Sequence, residues 1–402
     1  MLNFTTLPPL SLYIHYPWCV RKCPYCDFNS HAITTQPPGI NNSSDYDWDL
    51  RYVDALIADL EQELPHFWGR QIQTIFIGGG TPSLIQPRAL DVLLSRIKAL
   101  VKLSPFAEIT LEANPGTVDQ EKFAEFKALG VNRLSMGIQS FDNELLKRIG
   151  RIHDAKQASA ACEKALSAGF ENINLDLMFA LPGQSLQQAL SDLHMALAFH
   201  PAHVSHYQLT LEPNTLFAAQ PPVLPDEDSS YQMQLESQQC LAEAGYRHYE
   251  ISAYAQPGKQ SQHNLNYWQF GDYVGIGAGA HGKLSDAARQ QIIRRSKLKQ
   301  PQAYMQGSHR KLSTKTEKTS MIAGETKLAR HDIGFEFMLN TTRLVDGFKT
   351  QLFQQHTGLA INIIEKELQQ AVDMELIQWD LSQIKPTQRG LRYLNELQAI
   401  FL

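Results

Sequence analysis

Three of the five cysteines in this 402-residue chain occur close together, with the spacing Cys19-x3-Cys23-x2-Cys26. Three thiolates on one loop can hold three irons of a 4Fe–4S cluster and leave the fourth iron open to another ligand. Zinc is the alternative, because His15 precedes Cys19 closely enough to complete a Cys3His set. The spacing therefore predicts a thiolate metal centre and leaves open which metal it holds.

Polar residues follow several short apolar runs, and a β/α barrel places its chemistry at the carboxyl ends of its strands. Glu112 and Asp176 are carboxylates beside such runs, where a purely structural acid is unexpected. Each alone is equally well explained as a turn cap or a satisfied core group, and it is their order along the chain that favours a site. The candidates at these strand ends are Gly79, Gly80, Thr81, Glu112, Gln139, Asp176 and Gln208.

Short apolar runs alternate with helix-period segments from residue 10 to about 250, which predicts parallel βαβ units. About six units indicate an α/β fold with a partial (β/α)6 TIM-like barrel. An open doubly wound sheet is the rival, but the first strand–helix turn lacks the G-x-G-x-x-G dinucleotide motif. The predicted strands cover 11–16, 74–77, 108–113, 133–138, 172–179, 203–209 and 246–254, and the predicted helices cover 53–60, 90–97, 119–129, 154–168, 185–199 and 226–244.

The barrel is predicted to occupy residues 1–255, with a polar loop at 32–50, and two segments follow it. Residues 256–324 contain the motif His263-Asn264-Leu265-Asn266-Tyr267-Trp268. Within them, residues 289–318 hold nine Lys or Arg against one acid, which predicts a solvated basic linker. The pattern becomes helical from about 325, with a short hairpin after residue 376. Residues 325–402 are therefore predicted to form a helical, winged-helix-like module.

Charge, apolar runs and cysteine content indicate which partners and which compartment to expect. The 36 basic and 41 acidic side chains give a net charge of −5, which does not favour nucleic acid as a partner. No run approaches the roughly 18 apolar residues of a transmembrane helix, and the N-terminus lacks a secretory pattern. An odd cysteine count argues against a disulfide framework, and Cys162 and Cys240 fit small core residues. We expect a cytoplasmic protein, with the basic 289–318 segment as a candidate peripheral membrane contact.

The motifs CVRKCPYC and FIGGGTPS resemble the radical S-adenosylmethionine (SAM) superfamily. More narrowly, LYIHYPWCVRKCPYCDF, GGGTPS, EANPGT, RLSMGIQSF, NLDLMFALPGQ and HYQLTLEPNT, in this order, resemble the family of oxygen-independent coproporphyrinogen III oxidase and its relatives. The resemblance runs from about residue 10 to the C-terminus. One departure is Phe179-Ala180, where relatives often have Tyr-Gly.

This resemblance implies a radical SAM barrel with a 4Fe–4S cluster on Cys19, Cys23 and Cys26 and with SAM on the open iron. Glu112 would bind the SAM ammonium group and Asp176 a ribose hydroxyl, while the glycines after the second strand would let bare backbone approach the methionine moiety. The implied SAM contacts are Tyr13, Tyr25, Gly79, Gly80, Thr81, Glu112, Gln139, Arg151 and Asp176.

Three features favour the heme-chaperone branch of this family over the oxidases. Oxidases have a further cysteine two residues after the third, where this chain has Phe28, and a longer N-terminal extension than the 18 residues before Cys19. The third feature is HNxxYW, which is associated with the chaperone branch. The expected function is to bind heme, the cluster and SAM and to deliver heme to an apo heme protein. Oxidative decarboxylation of coproporphyrinogen III and a zinc-stabilised binding module stay as alternatives, so enzymatic activity is left open and no catalytic residue is assigned.

The HNxxYW motif supplies candidate heme contacts. The imidazole of His263 is a normal axial ligand type for heme iron, and Tyr267 and Trp268 offer flat apolar faces to a porphyrin. The residues alone favour a packing role for all three, and it is the resemblance to the chaperone branch that favours heme binding. His281, in GIGAGAHG, is another candidate iron ligand, and the glycines of that loop are expected to let it approach SAM.

Overall fold

The computed structural model describes residues 2–33, 45–308 and 320–402, with the side chains of residues 45–47 excepted. Part of the predicted loop, 34–44, and part of the predicted basic segment, 309–319, lie outside the described residues. Among the described helices, none has both the length and the apolar character needed to span a membrane.

A parallel sheet forms the centre of the fold. The first eight strands are β1 (Leu10–Tyr16), β2 (Trp18–Cys19), β3 (His31–Ala32), β4 (Gln71–Gly79), β5 (Lys102–Ala113), β6 (Arg133–Gln139), β7 (Ile173–Phe179) and β8 (His203–Gln208). The six long strands are neighbours in the order β1-β4-β5-β6-β7-β8, and every neighbouring pair is parallel. Their apolar runs are buried because both faces of a parallel sheet are covered. The predicted fold class, with six parallel strands, is confirmed.

Helices connect these strands and cover the sheet. They are α1 (Asp45–Phe67), α2 (Pro87–Leu100), α3 (Gln120–Ala128), α4 (Asn143–Arg148), α5 (Ala155–Ser167), α6 (Leu186–Leu197), α7 (Leu216–Ala219) and α8 (Glu227–Glu243), with 3-10 turns at Pro82–Leu84 and Pro115–Thr117. Asp154 and Ser185 start α5 and α6 with capping boxes. Each predicted helix is present, and α1 begins at Asp45, inside the segment predicted as a loop.

The sheet continues past residue 255 and gains strands at both edges. The next elements are β9 (Arg247–Glu250), β10 (Ala253–Ala255), α9 (Gln262–Trp268), β11 (Asp272–Ile276), β12 (His281–Asp286), β13 (Gln291–Lys297), α10 (Pro301–Ser308) and β14 (Ile322–Lys327). Strand β11 pairs in parallel with β1, and β12, β13 and β14 follow it antiparallel. The predicted boundary at 255 therefore falls inside one sheet. The prediction that residues 289–308 form a linker is wrong.

The basic residues of that segment are partly used inside the fold. Lys297 Nζ lies 2.5 Å from Asp59 Oδ1 and 2.7 Å from Glu63 Oε1, and Arg295 Nη1 lies 2.6 Å from Glu63 Oε2. Both acids come from α1, so these ion pairs join the added strands to the helix that follows β1. Composition counts charges but does not show which of them are paired.

A C-terminal module packs beside the barrel. Its elements are α11 (Arg330–Thr341), β15 (Phe348–Lys349), α12 (Gln351–Thr357), a 3-10 turn at Ile361–Ile364, α13 (Glu365–Asp373), β16 (Ile377–Trp379), β17 (Gln383–Pro386), α14 (Gln388–Arg392) and α15 (Leu394–Ala399). The predicted hairpin is the antiparallel pair β16–β17. The module has its own apolar core, which also takes in Leu2 and Phe4 from the N-terminus. The predicted helical module is confirmed.

Candidate functional site

The cysteine loop leaves the carboxyl end of β1 and is braced by the short pair β2–β3. Cys19, Cys23 and Cys26 all line one cavity of about 690 Å³, which we call the thiol cavity. Thr81 Oγ1 donates to Cys19 Sγ at 3.4 Å, and Arg151 Nη1 donates to Cys23 Sγ at 3.6 Å. The structure thus brings the three predicted cluster ligands to one place, at the strand ends where barrel chemistry occurs.

The thiols in this cavity are partly shielded from water. Burial raises the pKa of the Cys19 and Cys26 thiols, so without a metal they stay protonated near neutral pH. A metal or cluster would hold them as thiolates. Cys162 is buried on α5 and Cys240 is partly buried on α8, and both are free thiols away from the cavity lining.

The zinc alternative finds little support in the geometry. Within the described residues, no three His, Cys, Asp or Glu side chains converge closely enough to hold one metal ion. His15, the candidate fourth ligand, has both ring nitrogens engaged, with the Tyr13 hydroxyl at 2.9 Å and the Asn29 carbonyl oxygen at 2.9 Å. A 4Fe–4S cluster places each thiolate on a different iron and does not need such convergence.

The glycines at the end of β4 lie so close to neighbouring segments that no side chain fits there. A Cβ on Gly80 would lie 2.5 Å from the carbonyl oxygen of Trp18, directly before Cys19. Gly79 has φ +119°, and its Cβ would lie 2.7 Å from the His15 ring. These glycines therefore let the end of β4 pack against the start of the cysteine loop, whatever else approaches them.

The glycines of the GIGAGAHG segment serve the same purpose. A Cβ on Gly275 would lie 1.9 Å from the His281 carbonyl oxygen, and one on Gly277 would lie 2.4 Å from the His15 carbonyl oxygen. The expectation that they make room for SAM is replaced by close contact between neighbouring segments. Neither glycine lines the thiol cavity.

Two carboxylates project into the thiol cavity from β5 and β7. Glu112 Oε2 accepts from the Gly79 backbone N–H at 3.0 Å, while Asp176 accepts from Ser135 Oγ at 3.1 Å and from Asn174 Nδ2 at 2.8 Å. The low-dielectric surroundings raise the pKa of Glu112 to about 8, with a further contribution from Asp176. Burial also raises the pKa of Asp176. Such paired, shifted acids in a cavity are typical of a site for a cationic ligand.

Arg133 is a site residue that the sequence reasoning missed. It begins β6, is 1% exposed and lines the same cavity, and its Nε has no hydrogen-bond partner among the described residues. Its charge lowers the pKa values of Glu112 and Asp176 and so partly offsets their burial. The only sequence signal was a basic residue at the start of an apolar strand. Arg133 therefore balances part of the negative charge that the two carboxylates bring into the cavity.

The other predicted SAM contacts divide between two cavities. Tyr25, Gln139 and Arg151 line the thiol cavity, whereas Tyr13 lines the neighbouring one. Gln139 has φ +69°, a strained conformation for a residue with a side chain, and such strain often marks functional positions. Gln208, predicted from its strand end, also lines the thiol cavity.

The HNxxYW motif forms helix α9. His263 is 1% exposed, with Nδ1 2.7 Å from Thr74 Oγ1 and Nε2 2.9 Å from the Tyr267 hydroxyl. Thr74 donates its own proton to Ser11, so His263 Nδ1–H donates to Thr74 and Nε2 accepts from Tyr267. No ring nitrogen is left for iron. The prediction of His263 as an axial ligand is not supported, and the packing alternative describes it better.

Tyr267 and Trp268 have a different position from His263. Both line the thiol cavity and a second, larger cavity of about 960 Å³ beside it. The Arg343 guanidinium lies over the Trp268 ring at 4.3 Å, and the indole N–H of Trp268 is buried without a partner in the described structure. The motif therefore builds the wall between two cavities.

Comparison with known proteins agrees with this architecture. The family model of the radical SAM superfamily matches residues 13–196, and that of the HemN C-terminal domain matches residues 328–393. The solved structure of coproporphyrinogen III oxidase (HemN) from Escherichia coli, described as a radical SAM enzyme, superposes with a TM-score of 0.78 at 21% identity. The superposition covers 98% of this chain and 90% of that one. This likeness shows the fold.

The full-length relatives decide the family. The heme chaperone HemW of Escherichia coli K12 is 45% identical over 98% of this chain and 99% of its own length. The chain belongs to the HemW family of the radical SAM superfamily. The heme chaperone HemW of Haemophilus influenzae is 44% identical over 98% of each chain, and that of Bacillus subtilis is 39% identical over 68% of this chain.

The structure shows the surroundings of the two positions at which this chain differs from the sequences it resembles. Ala180 has φ +55°, a left-handed conformation that suits the glycine often present there in relatives. Phe28 is 61% exposed and lines both cavities, so the side chain that replaces the oxidases' further cysteine faces the site.

Proposed function

We propose that this chain binds heme together with a 4Fe–4S cluster and SAM, and that it delivers heme to an apo heme protein. The observation that carries the proposal is the similarity to heme chaperones along the whole of both chains, at 45% identity. The two adjoining cavities support it, because together they offer space for a thiolate-bound group and for a large flat ligand.

The residues of the thiol cavity fit the cluster and SAM. Three thiols face one cavity, as a cluster with an open iron requires, and Glu112 and Asp176 offer acceptors to an ammonium group and to ribose hydroxyls. Arg133 adds a cation to the same lining, which suits a ligand that also carries a carboxylate. When bound, a cluster supplies one-electron chemistry and a Lewis-acidic iron.

Phe28 favours heme transport over coproporphyrinogen III decarboxylation. The resemblance associates oxidases with a cysteine at this position, and an exposed phenyl ring can supply neither a thiolate ligand nor a hydrogen atom from a thiol. A large apolar ring at a cavity mouth can instead cover the face of a porphyrin.

The proposal is tested by anaerobic reconstitution with iron and sulfide, followed by iron analysis, SAM binding and hemin titration. We expect close to four irons per chain, loss of iron in each alanine variant of Cys19, Cys23 and Cys26, and normal iron in Cys162→Ala and Cys240→Ala. Heme transfer is followed by the absorption of an apo-globin added to the heme-loaded chain. Stoichiometric zinc without iron uptake would contradict the cluster assignment.

The same preparation distinguishes the chaperone from the oxidase. With cluster, SAM and reductant present, we expect coproporphyrinogen III to remain unchanged in the wild-type chain. Formation of protoporphyrinogen would show that the chain is an oxidase. Failure of the wild-type chain to bind hemin would remove the chaperone proposal.

A further inference from the structure

The larger of the two cavities adjoins the thiol cavity and extends beyond it. Its volume is about 960 Å³, which is in the upper part of the range for small-molecule sites. Among the residues it shares with the thiol cavity are Phe28, Gly79, Glu112, Tyr267 and Trp268. The rest of its lining includes residues of β11 to β13 and of α11, so a ligand held there would lie next to the proposed SAM contacts.

We propose that this cavity is the heme site, with His281 as a ligand to the iron and with Lys299 facing a heme carboxylate. The inference rests on the proposed function that the chain binds heme. It assigns the site to residues that the HNxxYW motif does not contain.

Of the three histidines in the lining, His281 is the one available to iron. His15 has both ring nitrogens in hydrogen bonds, as described above. The Nε2 atom of His31 is buried against protein. His281 is exposed, and its imidazole has no hydrogen bond within the described part of the chain. A neutral imidazole with a free lone pair is what heme iron binds.

The strand register fixes the neighbours of His281 on the sheet. The β12–β13 register sets His281 opposite Ser296 and Lys283 opposite Arg294. His281 and Arg294 are therefore diagonal neighbours on one face of the sheet, roughly 7–8 Å apart at their Cα atoms. Arg294 is ion-paired with Glu336 of α11, to which its Nε donates at 2.9 Å, and its Nη1 donates to the Tyr273 hydroxyl at 2.6 Å. The charge beside His281 is therefore already neutralised by protein, and the imidazole is the group on this face that is free to take a ligand.

Lys299 and the aromatic rings complete the fit. The ammonium of Lys299 has no ion-pair partner among the described residues, whereas Lys283 is buried against Asp272 at 3.0 Å and is already neutralised. Phe28, Tyr267 and Trp268 contribute ring surface to the same cavity. A ligand with an apolar ring system, a metal and two carboxylates uses each of these groups.

The test is a hemin titration of the full-length chain with His281→Ala, and with His331→Ala as the control, because His331 is exposed on α11 outside the cavity. We expect His281→Ala to shift the Soret band and to weaken hemin binding at least tenfold, and added imidazole to restore the wild-type spectrum. His331→Ala should match the wild type. Wild-type spectrum and affinity in His281→Ala would overturn this inference while leaving the proposed function intact. Absence of hemin binding by the wild-type chain would instead overturn the proposed function.

The carboxylate contacts are tested with heme dimethyl ester, which has the same ring and iron but no carboxylates. We expect Lys299→Gln to weaken hemin binding several-fold and to leave ester binding unchanged. Circular dichroism and iron content confirm that the variant is folded. Equal effects on hemin and on its ester would overturn the assignment of Lys299 to a carboxylate.

Discussion

Binding of SAM should depend on pH in a way that Glu112 determines. Its carboxyl has a pKa of about 8, raised mainly by burial and further by Asp176. The α-amino group of SAM, which Glu112 is proposed to bind, has a pKa of about 8 as well. The ion pair needs an ionised carboxyl and a protonated amine, and the fraction of encounters that meet both conditions is about 0.25 at pH 8 and about 0.01 at pH 6. We therefore expect SAM affinity to be about 25-fold weaker at pH 6 than at pH 8, and to fall again above pH 8.

The assay is equilibrium dialysis of labelled SAM against reconstituted chain between pH 6 and pH 10, with iron content checked at each pH. Glu112→Gln should weaken binding at pH 8 by about 1.5–3 kcal/mol, the range for a hydrogen bond to a charged group, and should lose the decline on the acidic side. Glu121→Gln, at an exposed glutamate of α3, should keep the wild-type profile. Equal wild-type affinity at pH 6 and pH 8 would refute the reasoning, as would an acidic decline that survives in Glu112→Gln.

Three further predictions follow from close contacts and backbone strain. Gly80→Ala should lower iron content as well as SAM binding, because the added Cβ would collide with the backbone next to the first cysteine. Normal iron content in this variant would show that the cysteine loop does not need to pack so closely against Gly80. Ala180→Gly should raise the free energy of unfolding by about 1 kcal/mol in denaturant titrations, because it relieves a left-handed conformation, whereas Ala168→Gly, at φ −73°, should lower it; a loss of stability in Ala180→Gly would contradict the strain argument. His263→Leu should cost about 1–3 kcal/mol of stability, because the hydroxyls of Thr74 and Tyr267 each lose a hydrogen bond to the imidazole. It should leave the hemin spectrum unchanged, and an altered Soret band would restore this histidine as an iron ligand.

Local sequence carried the information for the barrel. Strands β1 and β4 to β8 are short segments with buried residues, each followed by a helical period, and this alternation favours a parallel sheet. The metal-binding role of the cysteine loop could also be predicted from the sequence, because the spacing of its cysteines is local and its chemistry does not depend on distant residues. The positions of Glu112 and Asp176 could be predicted as well, because both residues lie at strand ends once the strands are known.

Long-range pairing decided the rest. The basic run at 289–308 has a linker's composition, yet Lys297 is buried and Arg295 is partly buried, because acids from α1, more than 200 positions earlier, neutralise them. His263 has an iron ligand's chemistry, but Thr74 on β4 occupies one of its nitrogens. The sequence alone determined the barrel, the cysteine loop and the order of the site residues, because periodicity and spacing are local. Only the tertiary structure decided which histidine is free and where the second cavity lies, since both depend on contacts between segments distant in the chain.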